Sequence, residues 1–216
     1  MRKTCGLICF AFCLFLGVRQ SKADTCGSIA GNLVANCGFE SGDFTSWTTS
    51  GNDVPLTLGN LYGVEGVDPF DGISPNSGDN QAFFADLVAN STTLQQMIAT
   101  TATDLYTVSF FVAQDTSIGK QDTESNGFSA SFGGVTLTSL TGVPVQGYTE
   151  YSFLVTASSS SSLLSLTFGN DLGEFLLDDI SVVNDTPAAT PEPATFLLLG
   201  TGLAGFAGAL RRRFAA

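Results

Sequence analysis

The sequence contains no histidine. That removes Ser-His-Asp and Cys-His triads and every His-ligated zinc site. Most hydrolase and metalloenzyme readings fall with it. Basic side chains are almost as scarce where they would matter. Seven of the eight Lys and Arg residues lie in the terminal segments, as Arg2, Lys3, Arg19, Lys22, Arg211, Arg212 and Arg213. Lys120 alone serves the body. With a net charge of −12, such a surface repels phosphate backbones, and nucleic acid is not expected as a partner. Charged residues make up only 13% of the chain, against about a quarter in an ordinary soluble domain. The body also lacks the periodicity of an amphipathic helix.

What is present points to an all-β, exported domain. Hydrophobic residues reach 44%, enough for a core, with 24 Gly and 18 Phe, while Ser, Thr and Asn supply the polar surface. The body, residues 24–183, reads as short β-rich runs punctuated by Gly-Asn, Ser-Gly, Asn-Gly and Gly-Gly turns. Strands are expected over 32–36, 46–50, 55–61, 81–87, 93–99, 106–114, 128–132, 135–140, 149–156, 163–168 and 175–183. Tyr106, Val108, Phe110 and Val112 share one face, as do Leu164, Leu166 and Phe168. About ten strands at this spacing predict a two-sheet jelly-roll sandwich. Two long irregular segments, 63–79 and 115–126, are either ligand-binding loops or plain insertions.

Both ends read as targeting segments. Arg2 and Lys3, an apolar run over 5–18 and the small residues of Ser21-Lys22-Ala23 describe a secretory signal peptide over 1–23. Cleavage before Asp24 is favoured, with a site after Ala30 or an uncleaved anchor as alternatives. Cys5, Cys9 and Cys13 leave with that signal, so Cys26 and Cys37 remain. An even count in an exported chain predicts one disulfide, the alternative being two free thiols. A linker over 184–190 leads to Pro191-Glu192-Pro193, an uncharged apolar run over 194–210 and Arg211-Arg212-Arg213. The run is just long enough for a membrane helix, and the Arg cluster holds its end in the cytoplasm.

Pro191-Glu192-Pro193, the single helix and the terminal Arg cluster together resemble the PEP-CTERM sorting signal of Gram-negative bacteria. The resemblance covers 191–216. It implies that an exosortase, a membrane-embedded Cys protease, acts at the Pro-Glu-Pro motif. The chain would pass through the export machinery to an inner-membrane intermediate, then to the cell envelope or extracellular polymer matrix. The simpler alternative is a permanent anchor.

The body carries a second resemblance. Asn32-Leu33-Val34-Ala35-Asn36-Cys37-Gly38-Phe39-Glu40 and Phe175-Leu176-Leu177-Asp178-Asp179-Ile180-Ser181-Val182 are similar to the first and last strands of jelly-roll carbohydrate-binding modules and galactose-binding-like domains. Leu94-Gln95-Gln96 and Tyr106-Thr107-Val108-Ser109-Phe110 look like middle strands of that group. The resemblance implies a structural Ca²⁺ held by the Gly38 carbonyl, the Glu40 carboxylate and one of Asp178 and Asp179. Strand alternation favours Asp178, on the face of Ile180 and Val182. An inward carboxylate needs a cation or several donors, and calcium with oxygen ligands fits; the alternative is solvated acids at the rim. Trp47 and Tyr62, with Tyr148 and Tyr151, are candidate platforms for sugar stacking or, alternatively, core aromatics. The local carboxylate pairs Asp122 with Glu124, Asp171 with Glu174 and Asp178 with Asp179 carry no nucleophile or base motif, so no enzyme is expected. The functional expectation is a non-catalytic exported protein that associates with exopolysaccharide. Its runners-up are a structural matrix protein without a sugar site, then a glycan-active enzyme.

Overall fold

The computed structural model describes residues 23–51, 61–69, 72–85, 88, 91–115, 125–171, 173–186 and 201–203. The expected signal peptide up to Lys22, the sorting tripeptide, the Arg cluster and Lys120 lie outside the described residues, as does most of the expected membrane helix. Among the described residues no helix is long and apolar enough to cross a membrane.

The described residues form ten strands, preceded by a short 3-10 turn at Cys26–Ser28. They are β1 (Thr48–Ser50), β2 (Tyr62–Glu65), β3 (Gln81–Phe84), β4 (Thr92–Ala99), β5 (Leu105–Asp115), β6 (Asn126–Phe132), β7 (Val135–Thr141), β8 (Gln146–Thr156), β9 (Ser161–Asn170) and β10 (Glu174–Asn184). Two five-stranded sheets result: β1-β4-β9-β6-β7 and β2-β3-β10-β5-β8. Every pairing is antiparallel. Such a jelly-roll sandwich matches the sequence expectation, and the alternation that predicted it is visible side chain by side chain. Val108, Phe110 and Val112 of β5 and Leu164, Leu166 and Phe168 of β9 are fully buried, facing each other from opposite sheets.

Aromatic rings tie the two sheets together. Phe84 of β3 stacks on Phe168 of β9 with centroids 4.5 Å apart. Phe168 in turn touches Phe128 at 5.8 Å and Phe175 at 5.7 Å. Phe110 meets Phe128 edge-on at 6.3 Å. Burying each such ring stabilises the fold by about 1.5–3 kcal/mol, and the offset or edge geometry adds to that.

Two strand expectations are corrected. Residues 32–36 do not form a strand. Asn32 replaces the ladder with its side chain: Oδ1 accepts from the N–H groups of Val34 and Val182, and Nδ2 donates to the carbonyls of Cys26 and Ile180. The Leu33 N–H donates to the Val182 carbonyl at 2.9 Å, and Asn36 turns the segment away with φ 51°. Side chains of this kind compete with a backbone ladder. Conversely, Tyr62–Glu65 pairs with β3, although the sequence reading began a loop at 63. The Gly63 that suggested a loop is there for packing. A Cβ at Gly63 would fall 2.8 Å from the Phe83 ring. The expected strand over 55–61 lies outside the described residues except Leu61.

Because Phe168 joins both sheets at full burial, Phe168→Ala should cost about 3–5 kcal/mol in urea unfolding. Leu154→Ala on the exposed side of β8 should cost about 0.5 kcal/mol or less. Equal losses at the two positions would contradict the packing described.

Candidate functional site

The last strand carries the centre of the site. Phe175 and Leu177 of β10 point into the core, whereas Leu176 and Asp178 lie on the opposite face. The register with β5 shifts between Asp178 and Ser181, and Asp179 adopts the left-handed φ of 49°. Asp tolerates that conformation better than most residues. The extra residue reverses the alternation, so Ile180 and Val182 return to the core. Asp178 therefore does not share their face. The expectation from strict alternation fails at a β-bulge, a device that re-aims side chains near sites.

Both acids are buried, Asp178 at 0% and Asp179 at 2% exposure. No Lys, Arg or His occurs among the described residues, so N–H and O–H donors do the neutralising. Asp179 Oδ1 accepts from the Cys26 N–H at 3.1 Å and from the Ser77 hydroxyl at 2.6 Å, and its Oδ2 from the Asn76 amide at 2.6 Å. Asp178 Oδ2 accepts the Ser77 N–H at 3.1 Å, and its Oδ1 accepts the Asp179 N–H at 2.7 Å. Burial pushes the Asp178 carboxyl up to about 8, Asp179 adds to the rise, and the two N–H donors work against it.

The other residues singled out from the sequence come to the same place. Cys26 and Cys37 form a disulfide, 11 residues apart. It pins the N-terminal segment where Cys26 N–H meets Asp179 and the Cys37 carbonyl accepts the Ile180 N–H. Gly38 is buried. A Cβ there would lie 3.2 Å from Asp24 Oδ1 and 3.5 Å from Asp178 Oδ1, so the missing side chain leaves room between two carboxylates. Asp24 Oδ1 also sits 3.1 Å from Cys26 Sγ. The sulfur has no hydrogen in a disulfide, so this is a contact and not a hydrogen bond. Glu40 is exposed and accepts the N–H groups of Asp79 and Asn80 at 3.0–3.1 Å. Gly78, with φ 61°, lets the loop pass so close that a Cβ would collide with Glu40. Glu40 is near enough to Asp178 to help raise its pKa. Gly38, Glu40 and Asp178 are thus brought together, with Asp24 beside them. Asp179 is occupied by three protein donors. The loop once read as a binding loop or an insertion has a structural task, since Asn76, Ser77 and Asp79 close over these acids.

Trp47 and Tyr62 take the alternative place, in or against the core. Trp47 is only 8% exposed, packs 6.0 Å from Phe39 and donates its Nε1–H to the Asn36 carbonyl. Tyr62 sits opposite Phe84 in the register and packs against the core near Phe44. Tyr151 likewise stacks on Phe110.

A second acidic group was missed from the sequence. On the core-distal face of the second sheet, Glu65, Asp68 and Glu174 bring carboxylate oxygens within 4.8 Å of one another. Burial and then Asp68 push Glu65 up to about 7, partly offset by a hydrogen bond with Gln81. Tyr148 reaches across from β8 and donates its hydroxyl to Gln81 Oε1 at 2.7 Å. Burial first, then the carboxylates of Asp178, Asp179, Glu65 and Glu174, raise its pKa. Glu65, Asp68 and Glu174 are over a hundred positions apart at the extremes, and only the β2-β3-β10 pairing unites them. No local signal could have grouped them.

Residues 189–213 match the PEP-CTERM protein-sorting motif. No curated protein matches the chain by sequence. By structure the chain is similar to TmCBM61, a carbohydrate-binding module solved with beta-1,4-galactotriose, at TM-score 0.52 and 18% identity. That similarity covers 71% of this chain and 99% of the module. It is also similar to the enzymatically active domain of bacteriophage CBA120 tailspike protein 4, at TM-score 0.50 and 13% identity, over 71% of this chain and 21% of that one. At such identities the likeness is one of fold: the body shares the jelly-roll sandwich of these structures. The PEP-CTERM motif marks an exported protein handled by a membrane exosortase system.

Glu65 and Asp178 both hold protons more tightly in the fold than in the unfolded chain. Their contribution to stability is full below about pH 4, the ordinary carboxyl range, and declines as pH rises through about 7 and 8. In chelator, the melting temperature should therefore fall between pH 5 and pH 8, and Glu65→Gln should flatten the part of the fall below pH 7. A melting temperature that rises over this window would refute the assignment.

Proposed function

We propose that this protein is a non-catalytic surface or matrix protein that binds exopolysaccharide once an exosortase has acted at Pro191-Glu192-Pro193. The observation that carries the reading is the sorting motif at 189–213 joined to a carbohydrate-binding-module fold. The signal peptide over 1–23 provides export, and the apolar run over 194–210 with Arg211–Arg213 holds the chain at the inner membrane of a Gram-negative cell until processing. The cell envelope or the extracellular matrix is the destination.

The core-distal face of the second sheet suits a sugar chain. Tyr148 is half-buried there, with its hydroxyl on Gln81 Oε1. Aromatic faces pack against sugar C–H groups, while the half-buried Glu65 can accept a hydroxyl hydrogen. The absence of His and of any nucleophile motif favours binding over turnover. Calcium belongs to the same proposal. One Ca²⁺ between the Gly38 carbonyl, Glu40 and Asp178, with Asp179 as the alternative, would keep the buried carboxylate ionised at neutral pH. Oxygen-only ligands of this type suit Ca²⁺.

The protein recovered from the medium of exporting cells should bind at least one neutral polysaccharide in affinity electrophoresis, and Tyr148→Ala should weaken that binding about tenfold or more. Absence of binding to every polysaccharide tried, with and without Ca²⁺, would remove the reading in favour of a purely structural role. Release of reducing ends that one carboxylate substitution abolishes would instead make the protein an enzyme. EDTA should lower the melting temperature by several degrees, about 2–4 °C for each kcal/mol of lost stability. If EDTA and Glu40→Gln both leave it unchanged, the calcium site is wrong.

A further inference from the structure

The two sheets differ in charge to a degree that packing does not require. The strands of the second sheet carry Glu65, Asp115, Glu150, Glu174, Asp178 and Asp179. The five strands of the first sheet carry no ionisable side chain on either face. Its inner face is the core, with Leu94, Phe128, Leu164, Leu166 and Phe168 buried. Its outer face is mostly hydroxyl and amide groups, with the exposed Met97 opposite Leu163 toward one end. The register aligns Ser50, Thr93, Thr167, Ser129 and Ser139 in one row across all five strands. Thr48, Gln95, Ser165, Ser131 and Thr136 make the adjacent row.

We propose that this outer face of the first sheet docks onto laterally packed chains of an uncharged polysaccharide. The inference rests on the polysaccharide reading given above and assigns it a second, separate surface. Charge is the first argument. In a chain of net charge −12, a face whose strands carry no acid is one on which repulsion from an anionic partner and attraction to a cationic one are both least. A cationic partner would turn to the other sheet. What remains complementary is a neutral surface able to donate and accept hydrogen bonds, as a serine or threonine hydroxyl does. Shape is the second argument. Strands about 4.8 Å apart and same-face residues about 6.7 Å apart set the groups on a two-dimensional grid about 20 Å wide. A grid is matched by several parallel chains rather than by one. Order is the third. Thr93 and Thr167 hydroxyls hydrogen-bond each other at 2.9 Å, and Gln95 Nε2 donates to Ser165 Oγ at 3.2 Å. The Thr93, Gln95, Ser165, Thr167, Ser129 and Ser131 side chains are half-buried among their neighbours. β-Branched threonines add rotamer stiffness, so little freedom is lost on docking.

The test uses the full-length protein and depletion from solution by curdlan gel particles and microcrystalline cellulose, with alginate and chitosan gels as charged controls. Gln95→Glu and Ser129→Asp place a carboxylate on the grid, and Thr167→Val removes a hydroxyl while keeping shape. Circular dichroism and melting temperature verify that each variant folds. The expected result is retention on at least one neutral solid, unchanged in 1 M NaCl. Each carboxylate variant should reduce it about tenfold or more, and Thr167→Val less. Tyr148→Ala should leave retention on the solid in place while weakening soluble polysaccharide. Retention unaffected by both carboxylate variants, or retention only on the charged gels, would overturn the proposal and leave the soluble-sugar reading standing. A dimer in analytical ultracentrifugation that Ser129→Asp dissociates would overturn it too, because a second copy would then cover the face. Failure to bind any polysaccharide, soluble or solid, would remove both.

Discussion

Two adjacent carboxylates are buried midway along β10 with no basic side chain among the described residues to meet them. Much of the architecture around them answers this constraint. An isolated buried carboxylate costs several kcal/mol unless donors or a cation compensate. Asp179 obtains three donors from two segments, Cys26 and the Asn76-Ser77 turn. Asp178 obtains two, from Ser77 and from the backbone of Asp179 itself. The disulfide keeps the first of those segments in place, and Asn32 ties the same segment to β10 through Ile180 and Val182. The N-terminal lead-in and the loop before β3 are therefore held by the last strand, although they are over a hundred residues from it in sequence.

The sandwich was legible in the sequence because its signal is local. Alternation in 106–112 and 164–168 declares a strand wherever one face is core, and those strands are found. The cysteine pair was legible by count. The carboxylate site was legible by its motif and misread in detail: alternation assumes a regular strand, and Asp179 makes β10 irregular. Leu33 and Val34 looked like a strand because their side chains are apolar, but Asn32 had already taken the hydrogen bonds such a strand needs. The Glu65, Asp68 and Glu174 group was illegible, because β2 was hidden by Gly63 and because register across three strands is not written in any one of them.

The same register accounts for the division of the surface. Acids fall on the second sheet, where Gln81 and Tyr148 supply partners, and amide and hydroxyl groups fall on the first. Neither distribution follows from composition. A chain with Ser, Thr and Gly in place of charged residues could have scattered its acids evenly. Segregation gives the two broad faces different chemistry while leaving one shared aromatic core.

β10 is the strand that runs into the tail. It ends at Asn184 beside β5, while β3 pairs with it only over Phe175–Leu177 and the N-terminal segment takes that side at Ile180 and Val182. If the tail is held at the membrane while the body is held by polymer, tension enters the domain along this strand. The backbone bonds to β5 extend from Glu174 to Asn184, apart from the bulge, so pulling along the strand loads them side by side in shear rather than one after another. A tether fixed to an edge strand such as β7 or β8 could peel its sheet open. Attached to a central strand whose tail-proximal half is clamped by a disulfide-braced segment, it makes the domain a mechanical coupling, resistant to drag for as long as the chain remains fastened at both ends.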